Sequence, residues 1–325
     1  MRINPGITRV ASSLSIAAAL LLGAAPLSAQ DYPTKPIRVV TPTTAGSTAD
    51  VVSRIVANEL SKVLGRPVVV EPKPGANNLI GLDYIARQPA DGYTVGIVGL
   101  DGVALAPLMS KDLRFDPLKD LTAVRGLVEA SYVLAVPAVR PWKTLEELVA
   151  YAKANPGKLN YGSSAFQVRF PALLLMQEHG LDIVHIPFSA GRTYTAAIVG
   201  GTLDLGFVTE RAVMEVGNRL RVLGVTGPQR LTTYPAVPTF TELKLPQIKG
   251  PSYAMIVRTG TSKPIFDKLA SSASSALGGA EGKASMDKIG LRITDESAEM
   301  VRKNLLALTQ SYGSLAKQVD LSSDK

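Results

Sequence analysis

The chain of 325 residues contains no cysteine, which removes disulfides, thiol nucleophiles and thiolate metal ligands from consideration. It has two histidines, His179 and His185, and neither has a partner at metal-ligand spacing. His185 falls in the strand-like run Ile183-Val-His-Ile186, where a hydrogen-bonded core or cleft-edge imidazole is the simple reading. There is no Gly-x-Ser-x-Gly elbow and no His-Glu-x-x-His pair. The segment Gly278-Gly-Ala-Glu-Gly-Lys-Ala-Ser285 approaches a phosphate-binding loop, but its first glycine stands one position too close and Ala284 replaces the magnesium-binding hydroxyl. It reads as a connection between helices. No motif argues for an enzyme, a metal centre or a cofactor.

Long apolar runs are also scarce. The one candidate, Ala11 to Ala25, follows Arg2 and Arg9 and precedes Pro26-Leu-Ser-Ala29, which makes residues 1–29 an expected cleavable signal peptide. That run is short of the roughly 20 apolar residues that a membrane span needs. The mature chain is expected to start near Gln30, in the periplasm. Basic residues outnumber acidic ones by 35 to 27, and removing Arg2 and Arg9 lowers the net charge from +8 to +6 (33 minus 27). The charges are scattered, and no basic stripe with interleaved aromatics marks a nucleic-acid surface. A modest positive field suits small anions. No internal repeat and no low-complexity tract interrupts the chain, and the tail Ser322 to Lys325 is expected to fray. The mature length suffices for two α/β domains of roughly 100–200 residues each.

What is present is an alternation of apolar strands and amphipathic helices. Strands are expected at Val68–Val70, Thr94–Val98, Val133–Val136, Asp182–His185, Leu203–Val208 and Leu220–Val225, in parallel βαβ units. Helices are expected at Leu145–Ala154 after Thr144, at Ala172–His179 after Pro171, and at Pro264–Leu277. The opening unit carries the most information. The strand Ile37 to Val40 ends at Pro42, the loop Thr43-Thr-Ala-Gly-Ser-Thr-Ala49 follows, and Asp50 opens a helix that stops at Gly65. Unsatisfied N–H groups at such a helix start, with small hydroxyl residues beside them, can hold a carboxylate or phosphate without a lysine. An ordinary strand-to-helix connection has the same local pattern.

An ordered series of short matches decides between the two. Tyr32-Pro-Thr-Lys-Pro-Ile-Arg38, Asp50-Val-Val-Ser-Arg54, Gly65-Arg-Pro-Val-Val-Val-Glu71 and Lys73-Pro-Gly-Ala76 with Ile80-Gly81 open it. Ala90-Asp-Gly-Tyr-Thr94, Tyr161-Gly-Ser-Ser164, Asp182-Ile-Val-His-Ile-Pro187 and Lys263-Pro-Ile265 complete it. Together they resemble the Bug-type receptors of tripartite tricarboxylate transporters over nearly the whole mature chain. The resemblance implies a type II periplasmic binding protein: two doubly wound α/β lobes joined by two crossover strands, with a ligand cleft between them. Crossings are expected at Ser131–Pro137 and Ser252–Val257, so that residues 30–133 and 253–325 form one discontinuous lobe and 134–252 the other.

The resemblance further implies a monomeric receptor that captures a small carboxylate and delivers it to two integral membrane subunits driven by an ion gradient. A periplasmic sensor docking a signalling kinase, and an aliphatic di- or tricarboxylate as ligand, are the alternatives. The first cleft wall is expected from Thr43, Thr44, Gly46, Ser47 and Thr48, and the second from Ser163 and Ser164 ahead of a helix entry. Phe166 and Arg169 depart from the small polar residues that relatives carry there. An arginine fork and a flat apolar ring together suit an aromatic carboxylate such as terephthalate; the alternative is an exposed arginine and a core phenylalanine. Asn77, Asn78 and Asp101 are expected in two further loops, and Phe188, Ser189 and Arg192 in a third. Thr209 follows the strand ending at Val208, whose apolar side chain stands where relatives often carry a polar or acidic residue, and this weakens the case for an amino-acid ligand that needs a counter-charge.

Overall fold

Ile37, Val39 and Val40 are wholly buried in β1 (Ile37–Thr41), the strand on which the first half of the molecule is assembled. The computed structural model describes residues 32–110, 112–164, 166–188 and 191–317; the expected signal segment 1–29 and Ser189 lie outside the described residues. Lys35 opens the compact unit that holds every element below. After β1 come α1 (Thr48–Leu64), β2 (Val68–Pro72), α2 (Leu79–Ala86), β3 (Thr94–Gly99), α3 (Leu100–Met109), β4 (Leu121–Ala130) and β5 (Tyr132–Pro137). The middle of the chain forms α4 (Leu145–Ala154), β6 (Asn160–Ser163), α5 (Phe166–His179), β7 (Val184–Pro187), α6 (Gly191–Val199), β8 (Gly206–Thr209), α7 (Glu210–Val216) and β9 (Leu220–Val225). β10 (Ser252–Arg258), α8 (Lys263–Gly278), α9 (Ala280–Asp287), β11 (Leu291–Ile293) and α10 (Ala298–Ala316) complete it.

These elements make two α/β lobes. A six-stranded sheet of order β11-β4-β10-β3-β1-β2 draws its strands from both ends of the chain. The middle segment supplies a three-stranded sheet, β8-β5-β9, and the pair β6-β7, which a parallel bridge from Tyr161 to Leu205 brings beside it. The expected parallel pairing holds for β2-β1-β3 and for β6-β7. It does not hold where the chain passes between the sheets: β10 is antiparallel to β3 and β4, and β5 is antiparallel to β8 and β9. One passage carries the chain out and the other brings it back, so the strands beside them run in opposite senses.

Two helix limits differ from expectation, and both matter for the cleft. Helix α1 begins at Thr48, two residues before Asp50, because Ser47 accepts the Asp50 N–H and caps it; Gly65 ends it in the left-handed region at φ 62°. Helix α5 begins at Phe166, well before Pro171, which sits inside the helix although it donates no hydrogen bond there. The segment after Gly278, expected as a loop, is helix α9.

Helical phase then directs the side chains of α5. Phe166, Phe170 and Leu173 fall on one stripe at spacings of four and three, and they join an apolar cluster with Val98, Leu105, Phe115 and Tyr312 beneath the large sheet. Phe170 meets the Tyr312 ring edge-on with centroids 4.0 Å apart, and Phe166 meets it at 5.7 Å. A helix of the middle segment is thus anchored in the core of the other lobe. Two further clusters pack around the smaller sheets, one around Trp142, Tyr161 and Phe207 and one around Tyr194, Ile198 and Val208, while Leu100, Ala254 and Val301 form a small one at the large sheet.

The two chain passages run side by side. The Ala130 N–H donates to the Pro251 carbonyl at 2.9 Å, the Thr226 N–H donates to the Tyr132 carbonyl at 2.9 Å, and the Tyr132 N–H donates to Thr226 Oγ1 at 2.9 Å. Gly250 leaves no room for a side chain here, since a Cβ would lie 2.0 Å from the Ala130 carbonyl oxygen and 2.8 Å from Thr226 Oγ1. Replacing Gly250 by alanine is therefore expected to destabilise the protein by about 1–3 kcal/mol through overpacking. Gly278→Ala, where a Cβ meets nothing within 4 Å, is expected to be neutral or to stabilise by under about 1 kcal/mol. Urea denaturation of the two variants checks the contrast.

Candidate functional site

The carboxyl ends of strands from both lobes border a cavity of about 1160 Å³. Residues 42–49 after β1, Gly99 at the end of β3, Ser164 after β6 and Thr209 at the end of β8 all reach it, and Tyr132, Pro251 and Tyr253 line it where the chain passes between lobes. This is the crevice where open α/β sheets bind ligands, because each strand there leads into a helix whose first N–H groups lack intrahelical partners. The starts of α1, α2, α3, α5 and α6 all contribute residues to the wall. Their dipoles add to a positive potential.

At the first start, Ser47 Oγ donates to Thr43 Oγ1 at 2.7 Å, and Thr43 Oγ1 lies 3.1 Å from Thr41 Oγ1, so the hydroxyls form a short chain along the wall. Thr48 and Ala49 line the cavity, and their N–H groups precede the first intrahelical bond. Asp50 is buried behind them and accepts from the Gly46 N–H at 2.9 Å and from Arg54 at 3.0 Å. Burial pushes its carboxyl up, but Arg54 and the Gly46 N–H outweigh that and hold it below the ordinary value.

The opposite start is arranged differently from expectation. Ser164 and Gln167 reach the cavity, whereas Ser163 is 1% exposed and bonds His185 Nε2 at 2.8 Å. A buried serine beside a histidine is no accessible nucleophile. Burial, with the charge of Arg169 nearby, depresses the His185 imidazole to about 4, so it is neutral at physiological pH. Arg169 is neither exposed nor on the cavity wall: it is 7% exposed, and its Nε donates to the Tyr161 hydroxyl at 3.3 Å. Phe166 belongs to the apolar cluster around Tyr312 and not to the wall. The helical start at Phe166 explains both displacements, because residues expected to splay from a turn are fixed on buried helix faces.

Of the remaining expected residues, Thr43, Thr44, Gly46, Ser47, Thr48, Asn78, Asp101, Arg192 and Thr209 are brought together on the wall with Ser164. Arg192 is exposed at the start of α6 and lines the cavity, as does Arg219. Asn77 is absent from the wall; it forms a turn with Ala76 and Asn78 in which all three have positive φ, at 51°, 45° and 76° respectively. That turn presses the Asn78 amide against α3, where a Cβ on Gly102 would lie 2.8 Å from Asn78 Nδ2. Phe188 packs behind the wall against Tyr194, with ring centroids 6.0 Å apart.

Asp101, in the first turn of α3, accepts a hydrogen bond from the Tyr312 hydroxyl. Burial pushes its carboxyl from 3.8 up to about 6, only partly offset by the Tyr312 bond. Tyr132 and Tyr253 lie within its electrostatic reach and are themselves pushed up, first by burial and then by the Asp101 charge. Both tyrosines line the cavity, and neither was expected there. The signal that marks them is their place at the starts of the two expected crossover segments. Among the described residues no group of three or more His, Asp or Glu side chains could hold a metal ion.

Known proteins share this outline. The family model described as the tripartite tricarboxylate transporter family receptor matches residues 52–321. The chain is 36% identical over 257 residues to the UPF0065 protein in the gbd 5' region of Cupriavidus necator, covering 78% of each chain. It is 31% identical over 267 residues to the protein BugT of Bordetella pertussis, covering 80% of this chain and 82% of that one. Among solved structures, R. palustris Rpa4515 with adipate superposes with a TM-score of 0.75 at 26% identity, covering 88% of this chain and 97% of that one.

Asp101 also sets a pH dependence. Its folded value of about 6 exceeds its ordinary 3.8, so the native state binds more protons than the unfolded chain in that interval, and its contribution to stability is lost as pH rises from about 4 to about 6. His185, depressed from 6.5 to about 4, acts in the opposite direction, losing its contribution as pH falls through the same range. The difference between Asp101→Asn and the parent isolates the aspartate. The variant is expected to gain Tm relative to the parent steadily from pH 4 to pH 6 and to hold that gain at pH 7, as read by thermal melts across the series.

Proposed function

The chain belongs to the tripartite tricarboxylate transporter receptor family, and from that premise we propose that it is a periplasmic solute receptor that captures a small carboxylate and delivers it to two membrane subunits. The observation that carries this reading is the convergence of helix starts, small hydroxyls and the Arg192 guanidinium on one cavity. A carboxylate taken from water needs a donor for each oxygen, and N–H groups fixed in helix first turns supply donors that need not reorganise. No covalent step is involved. Periplasmic placement rests on the family and on the signal segment read from the sequence; among the described residues no helix is long and apolar enough to cross a membrane.

Within that class we propose an aromatic carboxylate, with the flat wall supplied by Tyr132 and Tyr253 in place of Phe166. The adipate that accompanies R. palustris Rpa4515 favours testing an aliphatic chain beside it. We also propose that the lobes divide near Val133 and Tyr253, since the antiparallel strands β5 and β10 begin where the two passages lie side by side. Hinge motion about these passages would then close the cavity on its ligand.

A thermal-shift screen of aliphatic and aromatic carboxylates tests the receptor reading, because a ligand that binds only the folded state must raise Tm. At least one carboxylate is expected to do so, and a flat response across the screen refutes the reading. For the carboxylate that binds, Arg192→Ala is expected to weaken affinity about tenfold or more, the loss of a charged hydrogen bond. Arg169→Ala is instead expected to lower the Tm of the ligand-free protein, since its side chain is buried against Tyr161.

A further inference from the structure

We propose that Asp101, together with the rings of Tyr132 and Tyr253, forms a subsite for a cationic group, so that the preferred ligand is a carboxylate that also carries an ammonium group. The inference rests on the carboxylate reading above and names the chemistry of the ligand's second end.

Asp101 lies on the cavity wall, and its side-chain partner among the described residues is the Tyr312 hydroxyl. It also accepts from its own backbone N–H, and since a carboxylate offers about four acceptor positions, these two donors leave it with acceptor capacity to spare. It forms no ion pair with any described lysine or arginine. The other acidic residue of the wall, Glu215, is exposed and already pairs with Arg211 at 3.0 Å. Asp101 is therefore an acid without a counter-charge in a cavity otherwise built to attract anions.

A ligand with carboxylates at both ends would bring like charge towards this group. An ammonium would bring the missing counter-charge and hydrogen-bond donors to the free lone pairs. The aromatic neighbours favour the same choice, because ring faces attract cations through their quadrupole. The Tyr253 ring covers the start of α3, with Cε1 3.7 Å from where a Cβ on Gly99 would stand, two residues before Asp101. The hydrogen bond between Tyr253 and Thr48 ties that ring to the first anion-binding turn. The raised carboxyl of Asp101 agrees with this geometry, since it records burial without a cation nearby. The apolar Val208 by itself weakens the case for an amino-acid ligand, and Asp101 supplies the counter-charge that Val208 does not.

Isothermal titration of the full-length mature protein tests the subsite with pairs in which one carboxyl is exchanged for an aminomethyl group. The pairs are succinate and 4-aminobutanoate, glutarate and 5-aminopentanoate, adipate and 6-aminohexanoate, and terephthalate and 4-(aminomethyl)benzoate. In the pair that binds best, the amino acid is expected to bind about tenfold or more tightly than its diacid, and Asp101→Asn is expected to erase that preference. Asparagine still accepts from Tyr312, and a cooperative melt at or above the parent's Tm confirms the fold; should that variant not fold, Tyr132→Leu is expected to reduce the amino-acid affinity while sparing the diacid. Diacids that bind as tightly as their amino partners overturn the subsite and leave the carboxylate receptor standing. An amino-acid affinity that is unchanged in the Asp101→Asn variant does the same. No binding by any member of the four pairs overturns the subsite together with the reading on which it rests.

Discussion

The cavity exists because strands of both lobes present their carboxyl ends to a shared crevice. A strand that ends there hands the chain to a helix, and the first turn of that helix arrives with N–H groups that no residue of the helix can satisfy. The starts of α1, α2, α3, α5, α6 and α7 contribute residues to the wall. The hydroxyls of Thr43, Ser47 and Ser164 line the same wall, placed beside those donors by backbone geometry. Reversing the sense of β5 and β10 where the chain passes between lobes is what allows both sets of ends to face inward.

Packing ties the wall to the core. Helix α5 carries Ser164 and Gln167 at its mouth, while its stripe of Phe166, Phe170 and Leu173 sits in the opposite lobe's cluster. Burial of a phenylalanine side chain stabilises by about 1.5–3 kcal/mol, so two of them on one helix hold its start firmly in place. Tyr312 links this anchor to the cavity, because the ring that receives Phe166 and Phe170 carries the hydroxyl that donates to Asp101. A residue of the C-terminal helix thereby positions a cavity acid 211 positions away in sequence.

Much of this was legible residue by residue. Ile37 to Val40 read as a strand because of its β-branched residues, Leu145 to Ala154 read as a helix from Thr144 onward, and Gly65 read as a stop; each stands where local chemistry puts it. The first wall followed from the same logic, since a strand end, a small polar loop and a helix start are contiguous. The second wall was harder. Pro171 invites a helix start after it, yet α5 runs through it from Phe166, and the burial of two aromatic rings outweighs one lost hydrogen bond. That single shift moves Phe166 and Arg169 off the wall, where Arg192 and Arg219 are the arginines instead.

Residues close together in the chain were enough to establish the alternation of strands and helices and the turn that forms the first cavity wall, and an ordered series of short matches was enough to point to the family. Which side chains meet is settled only in three dimensions. Tyr132 and Tyr253 come to one cavity because the two passages between lobes lie side by side, and Asp101 meets Tyr312 because α10 packs on α3. Burial, and with it the charge state of Asp101 and His185, is a property of those meetings. No periodicity along the chain encodes them, since desolvation depends on neighbours in space.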